Sequence, residues 1–333
     1  MRKIIFIILI NCAFQVNVKA QDPHFSQYFS TPLLLNPALT GNIDGEYRVH
    51  LSYRNQWWQS GFPFTTAVVS GDLRALKSKI VDNSRLGFGI SLVKDASLGG
   101  AIKNTKALIS SSYHQVLDGN GFHSIGVGLQ GFFSDKLLNI NGLDFETQFN
   151  GTGFNLSTPS GEYFDGVSQK YFDMNSGILY SYNNGENSYY IGGSLHNIIR
   201  PLNTFFSDSL SRVYTRKVIH GGGNFYTNSS ASSRFMFSFL MMQQAKSVEL
   251  NLGAAYGLNL NDNYLYVGLF SRMRDAIYPY ISYQTSSIQL GLSYDITTSF
   301  LKNSRSRLNS LEFSIMYTRP DQTQDKKFMP WNF

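Results

Sequence analysis

The sequence predicts an all-β fold, an antiparallel transmembrane β-barrel of about 14 strands with an N-terminal extended segment plugging or capping its lumen. Three observations predict it. Only 15% of the 333 residues are charged, against about a quarter in a soluble domain, while Phe (26), Tyr (20) and Gly (29) are abundant. Apolar residues alternate with small or polar ones at period two in segment after segment, the mark of strands with one apolar face. The chain opens like an exported protein and thereafter has no apolar run of 18 residues that could cross a bilayer as a helix. Abundant aromatics with few charges exclude a disordered chain, and the composition is not the Ala, Glu, Lys and Leu of helical solenoids or coiled coils.

Met1-Arg2-Lys3 is a basic start, Ile4 to Phe14 an apolar run, and Val18-Lys19-Ala20 a cleavage site before Gln21. This is the grammar of a secretory signal peptide over 1–20, and the apolar run is shorter than the roughly 20 residues of a spanning helix. Cys12 invites a lipoprotein reading, but Asn11 before it is too bulky and polar for that cleavage. Processing would remove the only cysteine and lower the net charge from +6 to +3, because Arg2, Lys3 and Lys19 leave. Disulfides, thiolate metal sites and cysteine nucleophiles are then excluded. No basic stripe suggests nucleic acid.

Five segments alternate clearly. Leu86, Phe88, Ile90 and Leu92 face away from Gly87, Gly89 and Ser91, and Ile125, Val127 and Leu129 face away from Gly126, Gly128 and Gln130. Segments 247–258, 287–297 and 310–319 repeat the pattern. Weaker ones lie near 46–57, 64–72, 105–117, 171–182, 188–197, 215–226, 234–243, 263–272 and 276–285. Alternation fits a soluble sandwich as well as a membrane barrel. Export, an even strand count and alternating connection lengths favour the barrel. The stretches 134–170, 198–214 and 298–309 are long and most others tight, although 73–84 is long where a short turn belongs and 244–247 short where a loop belongs. Trp57-Trp58, and Tyr278 with Tyr280, are compatible with aromatic girdles at the membrane interfaces. The domains expected are a signal peptide (1–20), a plug or clasp (21–45), the barrel (46–319) and a tail (320–333).

No catalytic, cofactor or metal site is expected. His24, His50, His114, His123, His196 and His220 form no catalytic or metal spacing and read as isolated polar positions. His114 after Ser110-Ser111-Ser112 is weak evidence for a barrel hydrolase. Asp144, Glu146, Glu162 and Asp165 lack a calcium-loop spacing. Gly221-Gly222-Gly223 precedes no Lys-Ser/Thr and suits a tight strand or bulge.

Two segments are unlike barrel filler. The expected mature start reads Gln21-Asp22-Pro23-His24-Phe25-Ser26-Gln27-Tyr28, then Leu33-Leu34-Leu35-Asn36-Pro37-Ala38-Leu39-Thr40-Gly41. It is apolar and precedes the first strand. Leaving it in water costs about 25 cal/mol per Å² of apolar surface, so it should pack in the lumen or against a partner. Tyr53-Arg54-Asn55-Gln56-Trp57 follows at the end of the first strand. The residues expected to plug or bind are Asp22, Pro23, Phe25, Gln27, Tyr28, Asn36, Pro37, Gly41, Arg54, Asn55, Gln56 and Trp57. Deleting Gln21–Gly41 is expected to spare barrel insertion while abolishing a complex or raising conductance.

These residues carry a resemblance. Gln-Asp-Pro-His-Phe-Ser-Gln-Tyr, then Asn-Pro-Ala-x-x-Gly, then Tyr-Arg-Asn-Gln-Trp resembles the PorP/SprF family, and Arg85–Leu92, Gly99-Gly100, Ser124–Gly131, Tyr190–Leu195 and Arg200-Pro201 follow the order of its segments. The ending departs: Met329-Pro330-Trp331-Asn332-Phe333 replaces the Cys-Pro-Arg-Phe-like tail often found in the family. The resemblance implies a non-enzymatic bacterial outer-membrane component of the type IX secretion system, associated with gliding motility and embedded in outer-membrane lipid. The implied partners are large surface adhesins, engaged through their C-terminal secretion domains, and periplasmic secretion-ring subunits or a peptidoglycan-binding lipoprotein. The alternative is a general diffusion porin, which needs an open lumen with charged rings, whereas the inner face reads as Gly, Ser and Asn with sparse charge.

Overall fold

The computed structural model describes residues 24–60, 62–77, 84–139, 143–155, 157–161, 168–204, 211–228, 233–261, 263–299 and 308–320. The expected signal peptide, Asp22, Pro23, Glu162, Asp165 and the tail beyond 320 lie outside them. Fourteen strands run in chain order: β1 Tyr47–Gln56, β2 Phe64–Lys77, β3 Arg85–Ser97, β4 Ile102–Val116, β5 His123–Leu138, β6 Ser168–Asn183 and β7 Ser188–His196, then β8 Arg216–Asn228, β9 Ser233–Gln244, β10 Ser247–Leu260, β11 Asn263–Arg272, β12 Ala276–Gln284, β13 Ile288–Thr297 and β14 Ser310–Arg319. Each pairs antiparallel with its neighbours, and β1 closes on β14 in a register running from Tyr47↔Arg319 to Gln56↔Ser310. Closure leaves no free edge, so every strand finds its backbone partners within the wall, as a lipid-embedded sheet requires. Among the described residues no helix is long and apolar enough to cross a membrane; crossing is by strands.

An even strand count puts the start of β1 and the end of β14 at one end of the barrel. That terminal end carries the connections 78–84, 117–122, 184–187, 229–232, 261–262 and 285–287. The opposite loop end carries 139–167, 197–215 and 298–309, with four shorter connections between them. In outer-membrane barrels the long loops face the cell exterior. The stretch after 72 is shorter than the alternation suggests, because β2 continues to Lys77. The tight turn after β9 is real, with Ala245 at φ 53°.

Side-chain parity follows from the pleat. On β1, Val49, Leu51 and Tyr53 face lipid while Arg48, His50, Ser52 and Arg54 face the lumen and are buried. On β4, Ile109 is 71% exposed between buried Leu108 and Ser110. Parity also corrects the girdle reading of β12. Ile277, Ile281 and Tyr283 are its exposed set, so Tyr278 and Tyr280 point inward and are 0% and 2% exposed. Trp57 and Trp58 do lie at the loop end, with Trp57 edge-on to Phe64 and Trp58 beside Tyr294. The triple glycine belongs to β8, where Gly221 leaves room for the Phe239 ring and Gly223 for Phe225.

Candidate functional site

The lumen is not empty. Residues 25–41 run through it as a chain of short helical turns: Tyr28–Ser30, Pro32–Leu35 and Pro37–Leu39. Prolines at 32 and 37 start two of these turns, where the missing N–H costs nothing. Phe25, Ser26, Gln27, Phe29, Leu33, Asn36, Ala38, Leu39 and Thr40 are all buried.

At the loop end four charged side chains of four strands grip Ser26 and Gln27. Glu312 accepts the backbone N–H of Ser26 at 2.7 Å and of Gln27 at 2.8 Å. Asp295 accepts the Ser26 hydroxyl at 2.7 Å, and Arg272 donates to that oxygen at 2.7 Å. Arg54 joins the set, donating to the Ser26 hydroxyl oxygen, to Glu312 at 3.0 Å and to Asp295 at 2.9 Å. The Gln27 amide donates to Ser293 at 3.1 Å and to the Glu312 carbonyl at 3.0 Å, and accepts from Ser314 at 2.7 Å. Tyr278 caps the Ser26 carbonyl at 3.1 Å. Buried charges persist only when paired and hydrogen-bonded, and here the segment's own backbone supplies part of the pairing. His24 lies 3.4 Å from Glu249, and burial pushes its imidazole down to about 4 against the opposing pull of that carboxylate. The Tyr28 hydroxyl bonds that of Ser238 at 2.7 Å.

The middle of the segment sits in a recess cut by glycines. Asn36 donates to the carbonyls of Ile178 at 3.0 Å and Gly193 at 3.3 Å, and meets His220 at 2.9 Å, while its oxygen accepts the Ala38 N–H at 2.9 Å. A Cβ on Gly177 would collide with the Asn36 side chain, and one on Gly128 with the backbone of Pro37 and Ala38. Around it Gln130 donates to the Leu33 carbonyl at 3.0 Å, and Ser194 to that of Leu35 at 2.8 Å. Tyr28 and Phe29 pack on an aromatic wall, with Phe29 ring centroids 5.3 Å from Phe270 and 5.2 Å from Tyr280.

Toward the terminal end Arg48 and Asp72 form a two-pronged pair at 3.0 and 2.8 Å, both side chains 1% exposed. Asp72 also accepts the Gly41 N–H at 2.8 Å, and Arg48 donates to the Leu39 carbonyl at 3.3 Å. Gly41, at φ 65°, turns the chain against Gly87, whose Cα lies 2.5 Å from where a Gly41 Cβ would be.

Beside the segment at the loop end is a half-open vestibule of about 60 Å³. Phe25 and Leu34 of the segment, with Val93, Leu108 and Phe132, make its apolar base; Asn104, Lys106, Asn175, Asn197 and Arg216 surround it. Among the described residues no group of three or more His, Cys, Asp or Glu could hold a metal ion.

A closed barrel, a lumen occupied by its own N-terminal segment and a long-looped exterior end are the setting for the comparison with known proteins. Residues 17–317 match the family described as type IX secretion system membrane protein PorP/SprF. The chain belongs to the PorP/SprF family. It is thus a membrane component of the type IX secretion system, placed in the outer membrane by its barrel. No curated protein matches it. Among solved structures, the CymD monoaromatic hydrocarbon channel aligns over 88% of this chain and 93% of its own, at 10% identity and TM-score 0.49. A Pseudomonas aeruginosa FadL homologue aligns over 86% and 94%, at 9% identity and TM-score 0.48. BamA from Haemophilus ducreyi lacking POTRA domains 1–3 aligns over 82% and 70%, at 11% identity and TM-score 0.43.

In this PorP/SprF chain the structure brings Phe25, Gln27, Tyr28, Asn36, Pro37, Gly41 and Arg54 together in the lumen. Asn55, Gln56 and Trp57 stand apart, at the loop end of β1, where Gln56 pairs with Ser310 and the Trp57 N–H donates to the Asn309 carbonyl at 2.8 Å. Sequence reasoning missed Ser26 and three of the groups that hold it, Arg272, Asp295 and Glu312. It also read the histidines as isolated, whereas His114, His196 and His220 lie against Thr40, Leu35 and Asn36 at 3.3, 3.2 and 2.9 Å. The signal available was parity: Arg272, Asp295 and Glu312 each occupy the lumen-facing phase of their strands, where lone polar groups need a partner.

Proposed function

We propose that this barrel is a binding component of the type IX secretion system that engages large secreted adhesins by their C-terminal secretion domains at its exterior end, while its terminal end meets periplasmic ring subunits or a peptidoglycan-binding lipoprotein. The observation that carries the reading is the occupied lumen. A diffusion porin needs an open, wetted passage, whereas residues 25–41 lie across this one, hydrogen-bonded to opposite walls. The exterior end offers apolar side chains above the lipid: Phe149 and Phe154, each 50% exposed with ring centroids 5.2 Å apart, and Ile199 and Tyr214 on the next long loop. Exposed apolar groups of this kind favour protein contact. The adhesin and the periplasmic partners come from the family reading.

The test is affinity purification of a tagged copy from mildly solubilised outer membranes, with mass spectrometry of what accompanies it and conductance in planar bilayers. Recovery of a very large surface protein or of secretion-ring subunits, with a silent barrel, supports the reading. A barrel recovered alone and freely conducting overturns it in favour of a porin.

A further inference from the structure

We infer that residues 24–41 are threaded through the lumen from outside to inside, so that His24 lies toward the cell-exterior mouth and Gly41 toward the opposite end. The alternative is a segment that enters from the periplasm, loops within the lumen and returns; it would put His24 and Gly41 at the same end. Three sets of contacts decide the direction. They are independent of whether the partner reading above is right.

The first set fixes the start. Ser26 is held by Arg54, Arg272, Asp295 and Glu312. Arg54 is two positions from the loop end of β1, Arg272 is the last residue of β11, Asp295 is two positions from the loop end of β13, and Glu312 two from that of β14. Glu249, beside His24, is two positions from the loop end of β10. Five strands on one side of the barrel therefore place residues 24–27 near the same mouth.

The second set fixes the finish. Thr40 and Gly41 meet Asp72, Gly87, Ser112 and His114. Gly87 is two positions from the terminal end of β3, and His114 two from that of β4. The Glu46 N–H donates to the carbonyl of Arg319, the last residue of β14, at 2.9 Å. The third set lies between them, with Asn36 against mid-strand groups of β6, β7 and β8. Arg48 and Arg54, which hold the two ends, are six strand residues apart, about 20 Å at 3.3 Å per residue. The chain descends between those two levels from Ser26 to Gly41, turns at the terminal end, and climbs back as β1.

The exterior mouth therefore includes the first described residues of the segment. Phe25 lines the vestibule, and the His24 side chain, beside Glu249, is 21% exposed. A polypeptide approaching from outside meets the N-terminal end of the segment, and a periplasmic partner meets only its Gly41 end.

Single cysteines in a Cys12→Ser background test the direction, with a membrane-impermeant maleimide applied to intact cells. Gly153→Cys in the long β5–β6 connection and Gly119→Cys in a terminal-end turn serve as references, since a Cβ at either glycine meets nothing within 4 Å. The expected result is labelling of His24→Cys and Gly153→Cys on intact cells and of Gly119→Cys only after permeabilisation. Labelling of His24→Cys only after permeabilisation overturns the inference. If His24→Cys reacts only once denatured, a benzophenone side chain genetically placed at position 24 decides without a solvent-accessible thiol: photo-cross-linking to loop-end residues of β10 or β11 supports the inference, and cross-linking to terminal-end residues overturns it.

Discussion

Gln27 is tied to Glu312 twice: its backbone N–H donates to the carboxylate at 2.8 Å, and its side-chain amide donates to the Glu312 carbonyl at 3.0 Å. One residue of the segment thus reads both the side chain and the backbone of the last strand, and through Ser293 and Ser314 it also joins β13 to β14. Gln27→Ala removes the amide bonds and leaves buried hydroxyls short of partners, a loss of about 1–3 kcal/mol. The expected outcome is a lower temperature for the heat-induced gel shift of the folded barrel. An unchanged transition would mean these bonds contribute nothing net.

Arg48 and Asp72 allow a sharper comparison, because both are 1% exposed and closed on each other. Asp72→Ala leaves the guanidinium without its counter-charge and the Gly41 N–H without its acceptor, and breaking a buried pair in this way costs about 3–5 kcal/mol. Replacing both, as Arg48→Met with Asp72→Leu, should cost less than Asp72→Ala alone. Denaturant titration of the three variants gives the order; a double variant weaker than the single one would contradict it.

The glycine recess predicts a position-specific effect. Gly177→Ala drives a methyl into Asn36, whereas a Cβ at Gly193 would have its nearest neighbour at 3.6 Å. Gly177→Ala is expected to cost about 1–3 kcal/mol through overpacking and to raise ion conductance as residues 36–38 leave the wall. Gly193→Ala should do neither. Equal behaviour of the two in planar bilayers would argue that the segment is not seated there.

Acidification should loosen the start of the segment. His24 titrates near 4 when docked and near 6.5 when free, so between these values the undocked state binds more protons. Stability therefore rises with pH across this window: the docked contribution is complete above about 6.5 and is lost as pH falls toward 4. Protease cleavage within residues 24–30 should increase over that range in the native chain and stay flat in His24→Asn. A flat native profile would exclude His24 as the titrating group.

The strands were legible because lipid imposes a strict phase on each of them: Ile90, Ile109, Leu129 and Leu290 all fall on the face that alternation assigns. Tyr278 and Tyr280 were misread because aromatic clustering was weighed above parity, although Ile277 and Ile281 already define the outward phase of β12. The segment's apolar content made packing foreseeable, and Arg54 stood inside a recognisable motif. Its partners did not, since Asp295 and Glu312 are single acids in ordinary strands, 241 and 258 positions away, and only closure brings them together. The structure also changes what a deletion of Gln21–Gly41 would do. It would leave Asp295, Glu312 and Asp72 without the N–H and hydroxyl groups they accept from, so point variants test the segment more cleanly than its removal.

The bond from Ser26 to Glu312 spans 286 positions of sequence. Contacts of such separation are late and slow to form, because the intervening chain must first give up its freedom. The earliest described residues therefore wait for the last strand to be delivered before most of their loop-end partners exist. Seating the segment and sealing β1 to β14 become one terminal event of assembly, with Arg54 and Glu312 on opposite sides of the seam it closes. A chain stalled before β14 would hold both an open sheet edge and an unplaced N-terminus, two marks by which a quality-control protease could tell an unfinished barrel from a finished one.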